Sequence, residues 1–175
     1  FEGIEMRGVL DKLDITTIPE FTTQVKETRQ RFADAGLEVA CFSSSVTMTG
    51  FKSEDEAVML GEVERYAALC DLFGTKCIRI FGGEIGDKTW DQAIDEASAN
   101  LSKMADILKN TSAKVVVETH DDWMAGEHFR RVMENVNSPS IGVLWDVNHP
   151  YMFIGEKPDV TWKEVGPWVY HTHWK

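Results

Sequence analysis

The sequence predicts an α/β chain wound as a closed parallel (β/α)8 barrel, and three observations carry that expectation. Short β-rich runs alternate with longer amphipathic stretches throughout. The glycine-rich loop that opens many nucleotide-binding open sheets is missing, because Gly82-Gly83-Glu84-Ile85-Gly86 has the wrong spacing and no Lys-Ser/Thr after it. Polar side chains close several different strands, which is how a barrel assembles a site at its C-terminal face.

Taken in order, a strand is expected over Phe1 to Arg7, then a helix over Pro19 to Ala35 stopped by Gly36. A second strand, Glu38 to Ser44, leads to a helix over Glu54 to Phe73. Ser53-x-x-Glu56 reads as its capping box and Gly74 as its stop. Lys76 to Phe81 is the third strand, and Thr89-x-x-Gln92 caps a helix over Trp90 to Lys109. Strands at Lys114 to Thr119 and Ile141 to Asp146 flank a helix at Gly126 to Asn135. A short helix near Val160 to Val165 precedes a last strand, Val169 to Trp174. Residues 1–175 therefore read as one domain, a TIM barrel with six of its eight strands, and further segments are expected at both ends.

With 175 residues and 43% hydrophobic content, the chain can bury a core of its own. No apolar run is long enough to span a bilayer and Phe1-Glu2-Gly3-Ile4-Glu5 does not resemble a signal peptide, so a cytoplasmic location is expected. Cys41, Cys77 and Cys70 lie far apart in apolar segments and read as buried free thiols. A net charge of −11 without any Lys/Arg cluster argues against nucleic acid as a partner.

Chemistry concentrates at the ends of the last three strands. Lys114-Val-Val-Val-Glu118-Thr-His120 is an apolar strand closing on a carboxylate and an imidazole of the same parity, a solvent-facing glutamate being the competing reading. Ile141-Gly-Val-Leu-Trp145-Asp146-Val-Asn148-His149 closes on Asp and His three apart. There Pro150 favours an extended or turning conformation at His149, and an Asp capping a turn is the competing reading. In Val169-Tyr-His171-Thr-His173-Trp-Lys175, parity sends His171, His173 and Lys175 inward and Tyr170, Thr172 and Trp174 outward against helices. Four of the five histidines and two carboxylates thus close three consecutive strands, a mixed donor set suited to a divalent metal ion. The fifth, His128, reads as ordinary helix surface.

On Glu118-Thr-His120, Trp145-Asp146-Val-Asn148-His149 and His171-Thr-His173-Trp-Lys175, the chain resembles the xylose isomerase-like barrels. That superfamily holds sugar isomerases and epimerases, inosose dehydratases and family 2 apurinic endonucleases. The resemblance covers essentially the whole chain and implies that Glu118, Asp146 and His173 bind a divalent metal ion (Mn, Zn, Co, Mg or Fe). It implies a catalytic part for Glu118 and for His149, the latter facing the substrate. A further metal-binding Glu on an eighth strand has no counterpart here. The endonuclease branch uses histidines on earlier strands, where this chain has Phe42-Ser43-Ser44 and Phe81-Gly82-Gly83. The ketose 3-epimerase branch places a carboxylate six residues after the first metal Glu, where this chain has Met124.

The expected activity is that of a metal-dependent isomerase or epimerase working on a small sugar or cyclitol through an enediolate. The alternatives are an inosose dehydratase-like lyase, a metal-dependent phosphodiester hydrolase and a non-catalytic sugar-binding barrel. Candidate substrate contacts are His120, His149, Lys175, Glu5, Arg7 and Trp123, the last suited to covering an apolar sugar face. Neither nucleic acid nor membrane is expected as a partner, and a homo-oligomer is compatible with the sequence.

Overall fold

A computed structural model describes residues 2–174 of the chain. Six parallel strands pair in sequential order: β1 (Gly3–Met6), β2 (Glu38–Thr47), β3 (Cys77–Phe81), β4 (Lys114–Glu118), β5 (Ile141–Asp146) and β6 (Val169–His173). Helices α1 (Val25–Asp34), α2 (Glu56–Phe73), α3 (Trp90–Leu108) and α4 (Gly126–Val136) alternate with the strands, and α5 (Asn148–Ile154) and α6 (Pro158–Val165) precede the last. Sequential parallel order with helical crossovers is the barrel arrangement that the β/α alternation predicts. The first expected strand begins at Phe1, which lies outside the described residues.

The two faces of the sheet are buried differently. Val39, Phe42, Ile78, Ile80, Val115, Val117, Ile141 and Val143 point outward and, with the inner faces of the helices, form the main core. Cys41, Cys77, Val116 and Leu144 alternate with them and form a separate small cluster on the concave face, one residue from each of four neighbouring strands. All three cysteines are free and buried, as expected. Because both faces are covered, β4 and β5 are continuously apolar up to their terminal carboxylates after Lys114, and β3 is apolar except at Arg79.

Helix ends follow local chemistry. Thr89 and Gln92 form the expected capping box on α3. Gly36 (φ 67°) and Gly74 (φ 77°) take the left-handed conformation expected of helix stops. After α1 the Leu37 N–H reaches Phe32 O and the Gly36 N–H reaches Ala33 O, the paired bonds of a Schellman ending.

Four expectations give way. Ser53 and Glu56 form no capping box: Ser53–Asp55 is a 3-10 turn whose own backbone bonds occupy the early amides of α2. The helix expected from Pro19 begins as a 3-10 turn, Pro19–Phe21, and turns α-helical only at Val25. His149 is not extended but lies in the first turn of α5, where Pro150 needs no N–H donor. Tyr170 does not pack outward. The β5–β6 register slips between Val143 and Leu144, and the Tyr170 ring lies where a side chain at Gly142 would sit, on the side of Leu144 and Asp146.

Candidate metal centre

Glu118 ends β4, Asp146 ends β5 and His173 ends β6, and all three point from the concave face into the C-terminal mouth. One donor atom from each lies within 4.8 Å of the other two. His173 Nδ1 is 2.9 Å from Glu118 Oε1 and 3.9 Å from Asp146 Oδ2. Glu118 and Asp146 are almost fully buried. Asp146 Oδ1 accepts the backbone N–H groups of Asn148 (2.9 Å) and His149 (3.1 Å), which fixes the carboxylate at the β5–α5 junction. Thr119 Oγ1 accepts the Asp146 N–H and donates to Asp146 O, locking the ends of β4 and β5 together.

The remaining candidates fall into three groups. His149 stands beside the carboxylate pair, its Nδ1 3.6 Å from Asp146 Oδ2, and its ring meets His120 edge to face at 4.5 Å. Glu5 reaches across from β1: its Oε2 lies 3.1 Å from His171 Nε2 and 2.9 Å from His173 Nε2, while its Oε1 accepts the Ser43 hydroxyl. Arg7 stands at the rim, donating to Ser43 O and Ser45 Oγ. Trp123 is not at the site. It has no exposed surface, lies against Gly82 and donates its indole N–H to Thr49 Oγ1, so it cannot cover a sugar and belongs to the core. Lys175 lies outside the described residues. His128 is not ordinary surface either, since its ring stacks on Trp90 at 3.6 Å and its side chain is only 13% exposed.

Arg79 also adjoins the site, at a position for which the sequence carries no motif. Its Nε lies 3.3 Å from Glu118 Oε2, its guanidinium donates to Ser44 O, and its Cζ sits 3.9 Å from the Phe81 ring centroid. The contact with Glu118 is a charge pair rather than a directed hydrogen bond, since Nε finds no acceptor in line. A lone arginine inside the apolar strand Cys77-Ile-Arg-Ile-Phe81 was the available signal, because a charge enters a core only with a partner.

Charge in the mouth is tightly coupled. Burial works to raise the Glu118 carboxyl, but hydrogen bonding to His173 and the charge of Arg79 outweigh it and hold the group below the usual carboxylate range. Burial also opposes ionisation of Glu5, where His171, His173 and Ser43 hydrogen bonds win and keep it well below its ordinary value. Between these two carboxylates, His173 is pushed up to about 9, its hydrogen bond to Glu118 acting first and that to Glu5 second. Burial pulls the Arg79 guanidinium down from its ordinary value, with Glu118 opposing.

The donor set fits a divalent ion. Two buried carboxylates and one imidazole converge, and Arg79 and His173 are the basic groups at ion-pairing distance from Glu118 among the described residues. An ion taking the place of the His173 Nδ1 proton would neutralise charge that the fold has already concentrated. A hollow lined in part by Glu5, Arg7, His171 and His173 opens beside His173, between the edge strands β1 and β6. A hollow of about 560 Å³ between α1 and the start of β2 lies at the opposite end of the strands and adjoins none of these groups.

Comparison with known proteins agrees with the fold. Residues 1–175 match the family model described as xylose isomerase-like TIM barrel. The chain superposes on a probable 3-DHS dehydratase, AsbF, from Bacillus anthracis with a TM-score of 0.79 and 20% identity, covering 100% of this chain and 63% of that one. For 3-keto-D-glucoside 4-epimerase, YcjR, from E. coli the TM-score is 0.77, the identity 13% and the coverage 98% and 78%. For a xylose isomerase-like TIM barrel protein from Mycobacterium smegmatis in complex with magnesium the values are 0.77, 14%, 100% and 62%. The chain thus spans under two thirds of two of these relatives. No curated protein sequence matches it. Identities this low establish a shared fold and nothing finer.

Proposed function

From a chain that belongs to the xylose isomerase-like TIM barrel family, we propose a divalent-metal-dependent isomerase or epimerase of a small sugar or cyclitol. The observation that carries this reading is the convergence of Glu118, Asp146 and His173 on one point at the mouth. These three residues would hold the ion. When bound, it would supply Lewis-acid polarisation of a substrate carbonyl and an adjacent hydroxyl.

The chain's own groups then take distinct parts. Glu118 holds a carboxylate low enough in pKa to stay ionised at neutral pH, and it accepts the proton released from the carbon beside the carbonyl. Arg79 fixes that carboxylate from behind. His149, set by α5 beside Asp146 and facing His120, is placed to hydrogen-bond a substrate hydroxyl. Return of the proton to the adjacent carbon of the enediolate gives the isomer, and return to the same carbon on the opposite face gives the epimer.

Dehydration is a second reading. Loss of a β-hydroxyl from the same enediolate needs the same residues plus an acid beside the leaving oxygen, and the paired His120 and His149 offer one. Phosphodiester hydrolysis is disfavoured, because the ends of β2 and β3 present Ser43, Ser44 and Phe81, with no imidazole among the described residues there. The test is metal content of the protein followed by a panel of ketoses, aldoses and cyclitols read by proton NMR. Isomer or epimer formation that chelation stops supports the first reading, and an unsaturated product supports the second. A protein that binds no divalent ion overturns both.

A further inference from the structure

His173 carries a carboxylate on each ring nitrogen. Nδ1 faces Glu118 and Asp146, the pair proposed above as metal ligands, while Nε2 lies 2.9 Å from Glu5 Oε2. Glu5 is itself fixed, since Oε1 accepts the Ser43 hydroxyl from β2 and Oε2 is shared with His171. Both carboxylate oxygens are therefore occupied, which argues against the direct substrate contact expected of this residue. β1 and β6 are the two edge strands of the sheet, with no hydrogen-bonded partner on their outer sides among the described residues. The chain of contacts Ser43–Glu5–His173 spans that open side and ties the His173 ring to the far edge.

We propose that Glu5 is a positioning residue for the metal centre: by accepting the Nε2 proton of His173 it holds the ring in the tautomer whose Nδ1 lone pair points at Glu118 and Asp146. The inference rests on the metal-binding reading above. Its physical basis is general. A ligating imidazole that donates its other N–H to a carboxylate is fixed in orientation and becomes a stronger donor, and loss of such a partner typically weakens metal binding by about 10–100-fold. His171 plays a lesser part in this arrangement, since it shares Glu5 Oε2 without facing Glu118 or Asp146.

The alternative for these residues is a second ion held by Glu5, His171 and His173, whose donor atoms also lie within 4.8 Å of one another. Such an ion would take the Nε2 lone pair of His173 and leave Nδ1 protonated, the opposite tautomer. The positioning role is favoured because Nδ1 faces two buried carboxylates, Glu118 and Asp146, whereas Nε2 faces one partly exposed carboxylate that Ser43 orients.

The experiment measures Zn²⁺ affinity and stoichiometry by chelator competition in the protein and its E5A, E5Q and H171N variants, with ¹⁵N-histidine NMR of the zinc-loaded forms. One ion per chain is expected, with His173 protonated at Nε2 and metallated at Nδ1. E5A should lose about 10–100-fold in affinity. E5Q, whose amide oxygen can accept the same N–H, should recover most of it, and H171N should stay within a few-fold of the unaltered protein. Affinity unchanged in E5A and E5Q overturns the proposal. So does a second equivalent of zinc that disappears in both E5A and H171N. If the unaltered protein binds no zinc, manganese or magnesium, the metal-binding reading itself falls, an outcome distinct from both.

Discussion

Arg79 Nε lies 3.3 Å from Glu118 Oε2 inside the barrel, with the two side chains only 6% and 4% exposed. Burying both charges is costly, so neither tolerates loss of the other. Arg79→Leu should leave Glu118 with protonated His173 as its remaining cation among the described residues and destabilise the metal-free protein, by up to about 3–5 kcal/mol, read from urea unfolding. A divalent ion supplies a replacement charge, so the deficit should shrink when saturating Mn²⁺ or Zn²⁺ is present. An equal loss with and without metal would show that the ion does not sit beside Glu118.

The pH dependence of the metal-free protein follows from the same cluster. His173 is raised from 6.5 to about 9, so its contribution to stability is fully present below pH 6.5 and is lost as pH rises through about 9. Glu118 and Glu5 are lowered, so theirs is present above the ordinary 4.5 and is lost as pH falls below it. Unfolding midpoints from pH 5 to 10 should fall on the alkaline side, and His173→Asn should flatten that fall. Metal binding has the opposite slope, because an ion must displace the His173 proton. Apparent affinity should rise by about tenfold per pH unit up to about pH 9 if one proton is released.

Asp146 and His149 separate ligand from substrate contact. Asp146→Asn keeps an acceptor for the Asn148 and His149 amides, so the β5–α5 junction should hold while metal affinity drops sharply. His149→Ala should leave the metal in place and impair turnover. Both are read by metal content after gel filtration and by initial rates. Equal metal loss in the two variants would make His149 a ligand.

The meeting of Glu118, Asp146 and His173 in space could be read from the sequence because strand ends of sequential parallel strands lie side by side, and each residue closes an apolar run. Their role as ligands is a proposal that rests on that geometry. Trp123 could not be placed in the same way. Its burial depends on a notch left by Gly82, a residue 41 positions earlier, where an added Cβ would sit 2.5 Å from the indole Cδ1. Tyr170 was misplaced by parity alone, since one slip of register in β6 reverses the face of a side chain. Arg79 was legible in kind, as a charge within an apolar strand, but its partner was not, because no local spacing links β3 to Glu118.

The Gly82–Trp123 contact makes its own prediction. Gly82→Ala should destabilise the protein by about 1–3 kcal/mol through overpacking, measurable by thermal or urea unfolding. Trp123→Phe removes the indole N–H bond to Thr49 but keeps the Cβ, Cγ and Cδ1 atoms that a methyl added at Gly82 would meet, so combining it with Gly82→Ala should not relieve the loss. A double variant that recovers stability would mean that the clash does not lie at this edge of the side chain.

The reaction itself is tested at the substrate C–H bond. If Glu118 removes a proton beside a carbonyl, the metal-loaded protein should wash deuterium from solvent into that position, and chelation should stop the exchange. The carboxylate is placed for this step, since Arg79 lies against its Oε2 and it ends β4 at the mouth beside Asp146 and His173. Glu118→Gln preserves the outline of the side chain and removes both its charge and its basicity, so exchange should fall by orders of magnitude even when metal is saturating. The metal requirement and the base requirement are thereby distinguished, since a variant that merely lost the ion would regain exchange as metal is added. A metal-replete protein that converts its substrate with no solvent deuterium in the product would point instead to a hydride shift or to a proton shielded from solvent.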